Sequence, residues 1–295
     1  MLSRRALILG GTATGATVVG AGIGVEQGVL PGRPWLQGRL GLNGPAGVVP
    51  DVVPGPVEYG SFASAARGVD TGWCLIRPPG RREALPVVVA LHGIGGDHTS
   101  FVDPAFGLDH YLAAAVAAGV APFAIAAPDG GRSYWHPRPD GEDAGAMVVD
   151  ELLPLLAGRG LVTDRIGLIG WSMGGYGALR LAGLLGPDRI AAVVAVSPAL
   201  WGDPDDASRS GFADAEEYRE FSVFEDQDDL AGIAVRVDCG TGDPFYRAVQ
   251  DYASGFPDDA DLTSTFERGG HDEGYWRRML PDQLAFLGAA VGSTP

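Results

Sequence analysis

Past residue 70 the chain alternates between short apolar runs and longer stretches whose apolar positions recur every three or four residues. The clearest runs are Leu85–Leu91, Phe123–Ala127, Ile166–Ile169, Ile190–Val196 and Ile233–Val237, with further strands expected over Gly72–Arg77 and Leu262–Phe266. An apolar run without polar alternation marks a strand covered on both faces, the habit of parallel sheets. The stretches between them, Leu108–Ala118, Ala144–Leu156, Gly175–Leu185 and Gly274–Leu287, read as helices. Strand and helix in alternation predict an α/β fold. Its central sheet is mostly parallel, with helices on both faces and right-handed crossovers.

Two regions break this rhythm. Residues 27–60 are dense in Pro and Gly and show no sustained period, which predicts a linker, or a strap lying over a main domain of residues 61–295. Residues 201–229 are acidic yet carry Phe212, Tyr218, Phe221 and Phe224. That excursion leaves the C-terminal end of a strand, the end at which open α/β sheets bind ligands. It is expected to form a small cap insertion, helical around Ala213–Phe221, that roofs a cleft.

The chain opens with Ser3-Arg4-Arg5-Ala6-Leu7-Ile8 and then carries no charge as far as Val25. Residues 1–26 therefore read as a twin-arginine-like export signal or an N-terminal anchor, which would place the protein outside the cell or in its envelope. Of the 295 residues, 21 are basic, all of them arginine, and the net charge is −16. So acidic a chain repels phosphate backbones and gains nothing from anionic lipid, so nucleic-acid binding is excluded. No protein partner is evident in the sequence.

The candidate chemistry centres on Gly170-Trp171-Ser172-Met173-Gly174, set between an apolar run and a helix. A serine on so tight a strand-to-helix turn exposes its hydroxyl, and the flanking glycines let strand and helix cross closely. A serine hydroxyl is a weak nucleophile until an imidazole takes its proton and a carboxylate orients that imidazole. Of the five histidines only His271, in Gly-Gly-His-Asp, follows the serine. Asp243, in the loop after a strand, is the expected acid. Asp238 is its rival, and Asp272 is too close in sequence to fold back on the imidazole. Backbone N–H groups of Met173 and Ile94 are the expected oxyanion donors, the latter from the loop His92-Gly93-Ile94-Gly95-Gly96. His92, Trp135, Trp171, Trp201 and Tyr275 are candidates for lining the substrate cleft. No cluster of His, Cys and carboxylates shows metal-ligand spacing, so neither metal nor cofactor is expected.

The order of these motifs resembles the α/β-hydrolase superfamily. Gly-x-Ser-Met-Gly-Gly, a Gly-x-x-Asp loop and a late Gly-Gly-His followed by Tyr275-Trp276 are similar to its esterase branch, over about residues 70–290. That branch holds esterase D, feruloyl-esterase-like enzymes and actinobacterial mycolyltransferases. The resemblance implies an α/β-hydrolase fold and a Ser172–Asp243–His271 triad. It implies a serine carboxylic ester hydrolase acting through an acyl-serine on a small-molecule ester, with lipid or sugar esters as candidates. An acyltransferase using the same triad, or a non-catalytic hydrolase-fold binding protein, are the alternatives. The chain departs from the mycolyltransferases in having Asp243 where they carry glutamate and His92-Gly93 where theirs is Asp-Gly. In the family's sheet order Cys74 and Cys239 lie near opposite edges, so both are expected as free thiols rather than a disulfide.

Overall fold

A computed structural model describes residues 33–292, and the arginine-led segment read as an export signal lies outside the described residues. Eight strands form one sheet: β1 (Val57–Ser64), β2 (Val69–Ile76), β3 (Pro86–Leu91), β4 (Ala124–Pro128), β5 (Val162–Trp171), β6 (Ile190–Val196), β7 (Ala234–Gly240) and β8 (Leu262–Glu267). Their spatial order is β1-β2-β4-β3-β5-β6-β7-β8. β1 and β2 form an antiparallel hairpin, β2 pairs antiparallel with β4, and every pairing from β4 to β8 is parallel. β1 begins at Val57, inside the segment read as linker.

The apolar runs become strands because both sheet faces are covered. All residues of β6 are buried, and β3 is buried apart from Pro86. Alternate residues of one strand feed different cores. Val87 and Val89 face one, with Leu168, Val193 and helix α4 (Met173–Leu185); Val88 and Ala90 face the other, with Ile169, Val194 and helix α7 (Glu273–Val291). α7 is entered through Asp272, whose carboxylate accepts the Tyr275 N–H at 3.0 Å as an N-cap. The remaining helices are a short α1 (Arg33–Arg39), α2 (Leu108–Ala117), α3, α5 (Ala215–Phe221) and α6 (Tyr246–Ser254). α3 starts at Ala144–Ala146, widens to a π-helix over Met147–Leu152 and closes at Leu153–Gly158. Among the described residues no helix is long and apolar enough to cross a membrane.

β4 lies on one side of β3 and β5 on the other, so the chain reverses its direction of travel across the sheet at β3. The crevice outside the C-terminal ends of β3 and β5 is where such a sheet receives a ligand.

Cys74 sits on β2 and Cys239 on β7, both fully buried and free. The five strand spacings between those positions amount to roughly 24 Å, against about 7 Å for the Cα atoms of a disulfide. Burial pushes the Cys74 thiol up to about 12 and Cys239 higher still, so neither is a thiolate near neutrality. Both are therefore expected to resist a thiol reagent in the native protein and to titrate as two free thiols on denaturation without reductant. A single disulfide found under those conditions would contradict the sheet order.

Candidate active site

β5 ends at Trp171 and α4 starts at Met173, leaving Ser172 alone on the turn at φ 56° and ψ −119°. A side chain in such backbone costs on the order of 1–3 kcal/mol, so the surroundings must hold it. The Ser172 N–H donates to Val196 O at 3.0 Å, and Ser172 O accepts the N–H groups of Ala199 at 2.9 Å and Tyr176 at 3.1 Å. Three such bonds, at about 1 kcal/mol each, are of the size needed to offset the strain. The flanking glycines are sterically required. A Cβ on Gly170 would lie 2.0 Å from Gly174 O, and one on Gly174 would lie 1.9 Å from Leu91 O.

The loops after β7 and β8 bring the acid and the imidazole to this turn. His271 Nδ1–H donates to Asp243 Oδ2 at 2.8 Å, and the Ser172 hydroxyl donates to His271 Nε2 at 3.0 Å. The Asp243 side chain is wholly buried, and its other oxygen accepts the Phe245 N–H at 2.8 Å. Phe245 and Trp276 stand edge-on to the imidazole at 5.3 and 5.2 Å. Trp276 is itself tied to Ser197 Oγ through its indole N–H at 3.1 Å.

Asp238, the rival acid, is placed elsewhere. It is fully buried on β7, where Arg236 Nε and the Gln283 amide donate to its Oδ2 at 2.9 and 2.7 Å. Burial pushes its carboxyl up, with Arg236 and Gln283 pulling against that shift. Asp272 is used as the cap of α7.

Across from the serine, a Cβ on Gly93 would lie 3.3 Å from Ser172 Cβ, so the His92–Gly96 loop runs directly over Ser172. His92 shapes that loop. Its Nε2 accepts the Gly130 N–H at 2.9 Å, which leaves the proton on Nδ1 to donate to Gly93 O at 2.8 Å. A cleft of about 390 Å³ opens between this loop and α7, with Ile94, Ser172 and His271 on its border. Met173 begins α4, where a helix N–H has no partner within the helix.

The aromatics divide. Trp171 floors the cleft, 2% exposed, with Phe101 and Phe106 each 5.3 Å from it. Trp135 and Tyr275 are buried and do not border it. Trp135 is wedged against Gly130 and Gly177 and supports His92, while Tyr275 packs on Gly269. Successive helix positions point about 100° apart, so Trp276, next to Tyr275, is the one that reaches the cleft. Phe101, Phe106 and Glu273 also border it and carried no motif to mark them in the sequence.

The acidic excursion does contain a helix, α5, but residues 201–229, Trp201 included, do not border the cleft. Its aromatics fold inward instead. Phe212 is 3% exposed and stacks on His136, as does Phe221 at 4.6 Å. Tyr176 of α4 anchors it by donating to Phe221 O at 2.6 Å. The excursion reaches the site only at second hand, since Trp201 rests on Phe245 at 5.4 Å and Phe245 on His271. Burial of those rings explains why a split of aromatics and carboxylates read as a roof: every carboxylate but Glu217, which is buried against Arg138, faces water, but the rings pack inward on the domain.

A sheet of this order with a strained serine after β5 defines an α/β-hydrolase. The sequence model of the family described as Putative esterase matches residues 64–287, and the chain belongs to that family of carboxylic ester hydrolases. Solved structures agree on the fold. Fluorophosphonate-binding serine hydrolase F of Staphylococcus aureus aligns at TM-score 0.66 and 17% identity, over 80% of this chain and 99% of its own. An S-formylglutathione hydrolase from Agrobacterium tumefaciens aligns at 0.67 and 20% identity, over 82% and 98%. A ferulic acid esterase of Anaeromyces mucronatus, solved with ferulic acid, aligns at 0.64 and 19% identity, over 82% and 93%. No curated protein matches the chain in sequence.

The packing of the excursion predicts that Phe212→Ala lowers stability by about 3–5 kcal/mol in denaturant unfolding. The ratio of activities on short and longer esters should stay unchanged. A shift in that ratio without loss of stability would restore the excursion as a substrate roof.

Proposed function

We propose that Ser172, His271 and Asp243 are the catalytic triad of an exported serine esterase that works through an acyl-serine. The observation that carries this reading is the unbroken hydrogen-bond line from the Ser172 hydroxyl through His271 to Asp243, at 3.0 and 2.8 Å. His271 Nε2 removes the Ser172 proton as Oγ attacks the ester carbonyl carbon. Asp243 holds the imidazole in the tautomer with its proton on Nδ1 and stabilises the imidazolium that forms. The Met173 and Ile94 N–H groups take the oxyanion. When the tetrahedral adduct collapses, the alcohol oxygen leaves with the proton from His271. Water then enters, loses a proton to the same nitrogen, and releases the acid and free Ser172. Among the described residues no group of three His, Cys, Asp or Glu is placed to hold a metal, and these steps call on none.

The cleft gives the substrate its outline. A volume of about 390 Å³ is near the lower end for small-ligand pockets. Its walls, Phe101, Phe106, Trp171 and Trp276, suit a compact apolar or aromatic group. Among the described residues the one carboxylate on its border is Glu273, and no arginine stands there. The substrate is therefore a neutral small-molecule ester. Export through the Arg4-Arg5 segment would place this activity outside the cytoplasm.

A panel of p-nitrophenyl esters, with and without an alcohol acceptor, tests the reading. Ser172→Ala should lower turnover by at least about a thousandfold while the protein stays folded. Asp243→Asn should cost about 10⁴ in kcat, the scale of the serine-protease template. Asp238→Asn should instead lower stability, because it weakens the partner of a buried Arg236. Esters with a free carboxylate should be poor substrates that Glu273→Gln improves a few-fold, the scale of an exposed charge pair. Full activity in Ser172→Ala, or the two aspartate results exchanged, would overturn the assignment. Faster product formation with the acceptor present, and the alkyl ester as product, would make it an acyltransferase.

A further inference from the structure

The two loops that carry the acid and the imidazole sit at the weak side of the sheet. Among the described residues β8, which delivers His271, is an edge strand and pairs only with β7. Its residues are half-buried or exposed. The loops do bond to each other, Gly242 N–H to Gly269 O at 2.8 Å and Thr241 N–H to Glu267 O at 2.7 Å. Beyond those bonds, α7 holds the His271 loop through Tyr275 on Gly269 and Arg278 donating to Arg268 O, and the Pro/Gly-rich segment between α1 and β1 lies over both loops.

That segment crosses both loops. Gln37, 4% exposed, and Asn43 turn their side-chain amides toward the glycines that precede the functional residues. A Cβ on Gly242, next to Asp243, would lie 2.3 Å from Gln37 Oε1 and 2.7 Å from Asn43 Oδ1. A Cβ on Gly270, next to His271, would lie 2.8 Å from Asn43 Nδ2. One amide thus lies against both loops. Three residues past His271 the segment is pinned again, as the Gly47 N–H donates to Gly274 O, just past Glu273, at 2.7 Å. α7 grips it from the other side. Arg278 donates to Asn43 O and Pro45 O, and Arg277 to Gly47 O at 3.1 Å. Further on, Tyr111 donates to Val48 O at 2.8 Å, and Val49 packs on Gly107, the neighbour of the cleft residue Phe106.

These contacts do not look like core packing. Several apolar side chains of the segment point outward, Leu40 60% exposed, Val48 83% and Val53 84%, while Val49 packs against the second core. What the segment turns toward the two loops is the amides of Gln37 and Asn43.

We infer that residues 36–50 are a clamp that fixes Asp243 and His271 relative to Ser172, with Gln37 and Asn43 as positioning residues. The inference rests on the triad assigned above. Its physical basis is that catalytic geometry tolerates little: a misplacement of about 1 Å can cost on the order of 10²-fold in rate.

The test uses the full chain with Asn43→Ala, Gln37→Ala and the pair, read on p-nitrophenyl acetate. The double variant should lose roughly ten- to a hundredfold in kcat, with KM within about twofold and the thermal midpoint nearly unchanged. In a second arm a protease site is placed in the exposed stretch around Asp51–Val53 and cut in the folded protein. Removing the strap should lower kcat, and a peptide of residues 33–50 should restore it. Unchanged kcat in the double variant, or a loss that only follows the thermal midpoint, overturns the clamp. Failure of the triad is told apart by the controls: there the unaltered protein is inactive or Ser172→Ala stays active, whatever the strap variants do.

Discussion

The whole site depends on how closely α4 crosses the end of β3. Gly174 sits so near the Leu91 carbonyl that no side chain fits, and Gly170 is as tightly set against Gly174 itself. That crossing forces Ser172 into left-handed backbone and lifts its hydroxyl out of the sheet. It also sets the first turn of α4, whose N–H groups have no partner within the helix, beside the Ser172 hydroxyl. The rest of the fold serves to hold this turn. β6 supplies the carbonyl that takes the Ser172 N–H, and the His92 loop closes over the serine from β3. A second strained pair follows Gly130: Tyr134 at φ 57° and Trp135 at φ 58°, of which Trp135 props His92 from behind.

Two aspartates on one strand and its loop show how environment, rather than residue type, divides the work. Asp238 points into the sheet layer, where Arg236 and Gln283 occupy it and burial raises its carboxyl. Asp243 leaves the strand by one tight turn and faces the imidazole while accepting a backbone N–H. The first is held by structure, the second is free to orient a histidine. In sequence they differ only in place, Asp238 ending the apolar run and Asp243 lying in the loop beyond it; their partners are what set them apart.

Much of this was legible in the residues. Unbroken apolar runs such as Ile190–Val196 identify buried parallel strands because both faces must be covered. The Gly-x-Ser-x-Gly turn is legible because its glycines answer to steric limits that admit no other residue. What escaped was set by tertiary packing. β1 alternates weakly on an exposed edge, so its first residues read as linker. Trp135 and Tyr275 are as aromatic as Trp171 and Trp276, and which of them meets the cleft depends on a hundred-degree rotation or one turn of loop. The excursion's rings read as a roof because sequence shows their need for cover but not which surface supplies it.

The central claim is that Ser172 forms the covalent bond. Intact-mass measurement after rapid acid quench of the protein with a slowly hydrolysed p-nitrophenyl ester tests it most directly. The account predicts one acyl group per chain, carried on the peptide containing Ser172, and none on Ser172→Ala. An unaltered protein that turns over the ester with no adduct, or with the adduct on another residue, would contradict it.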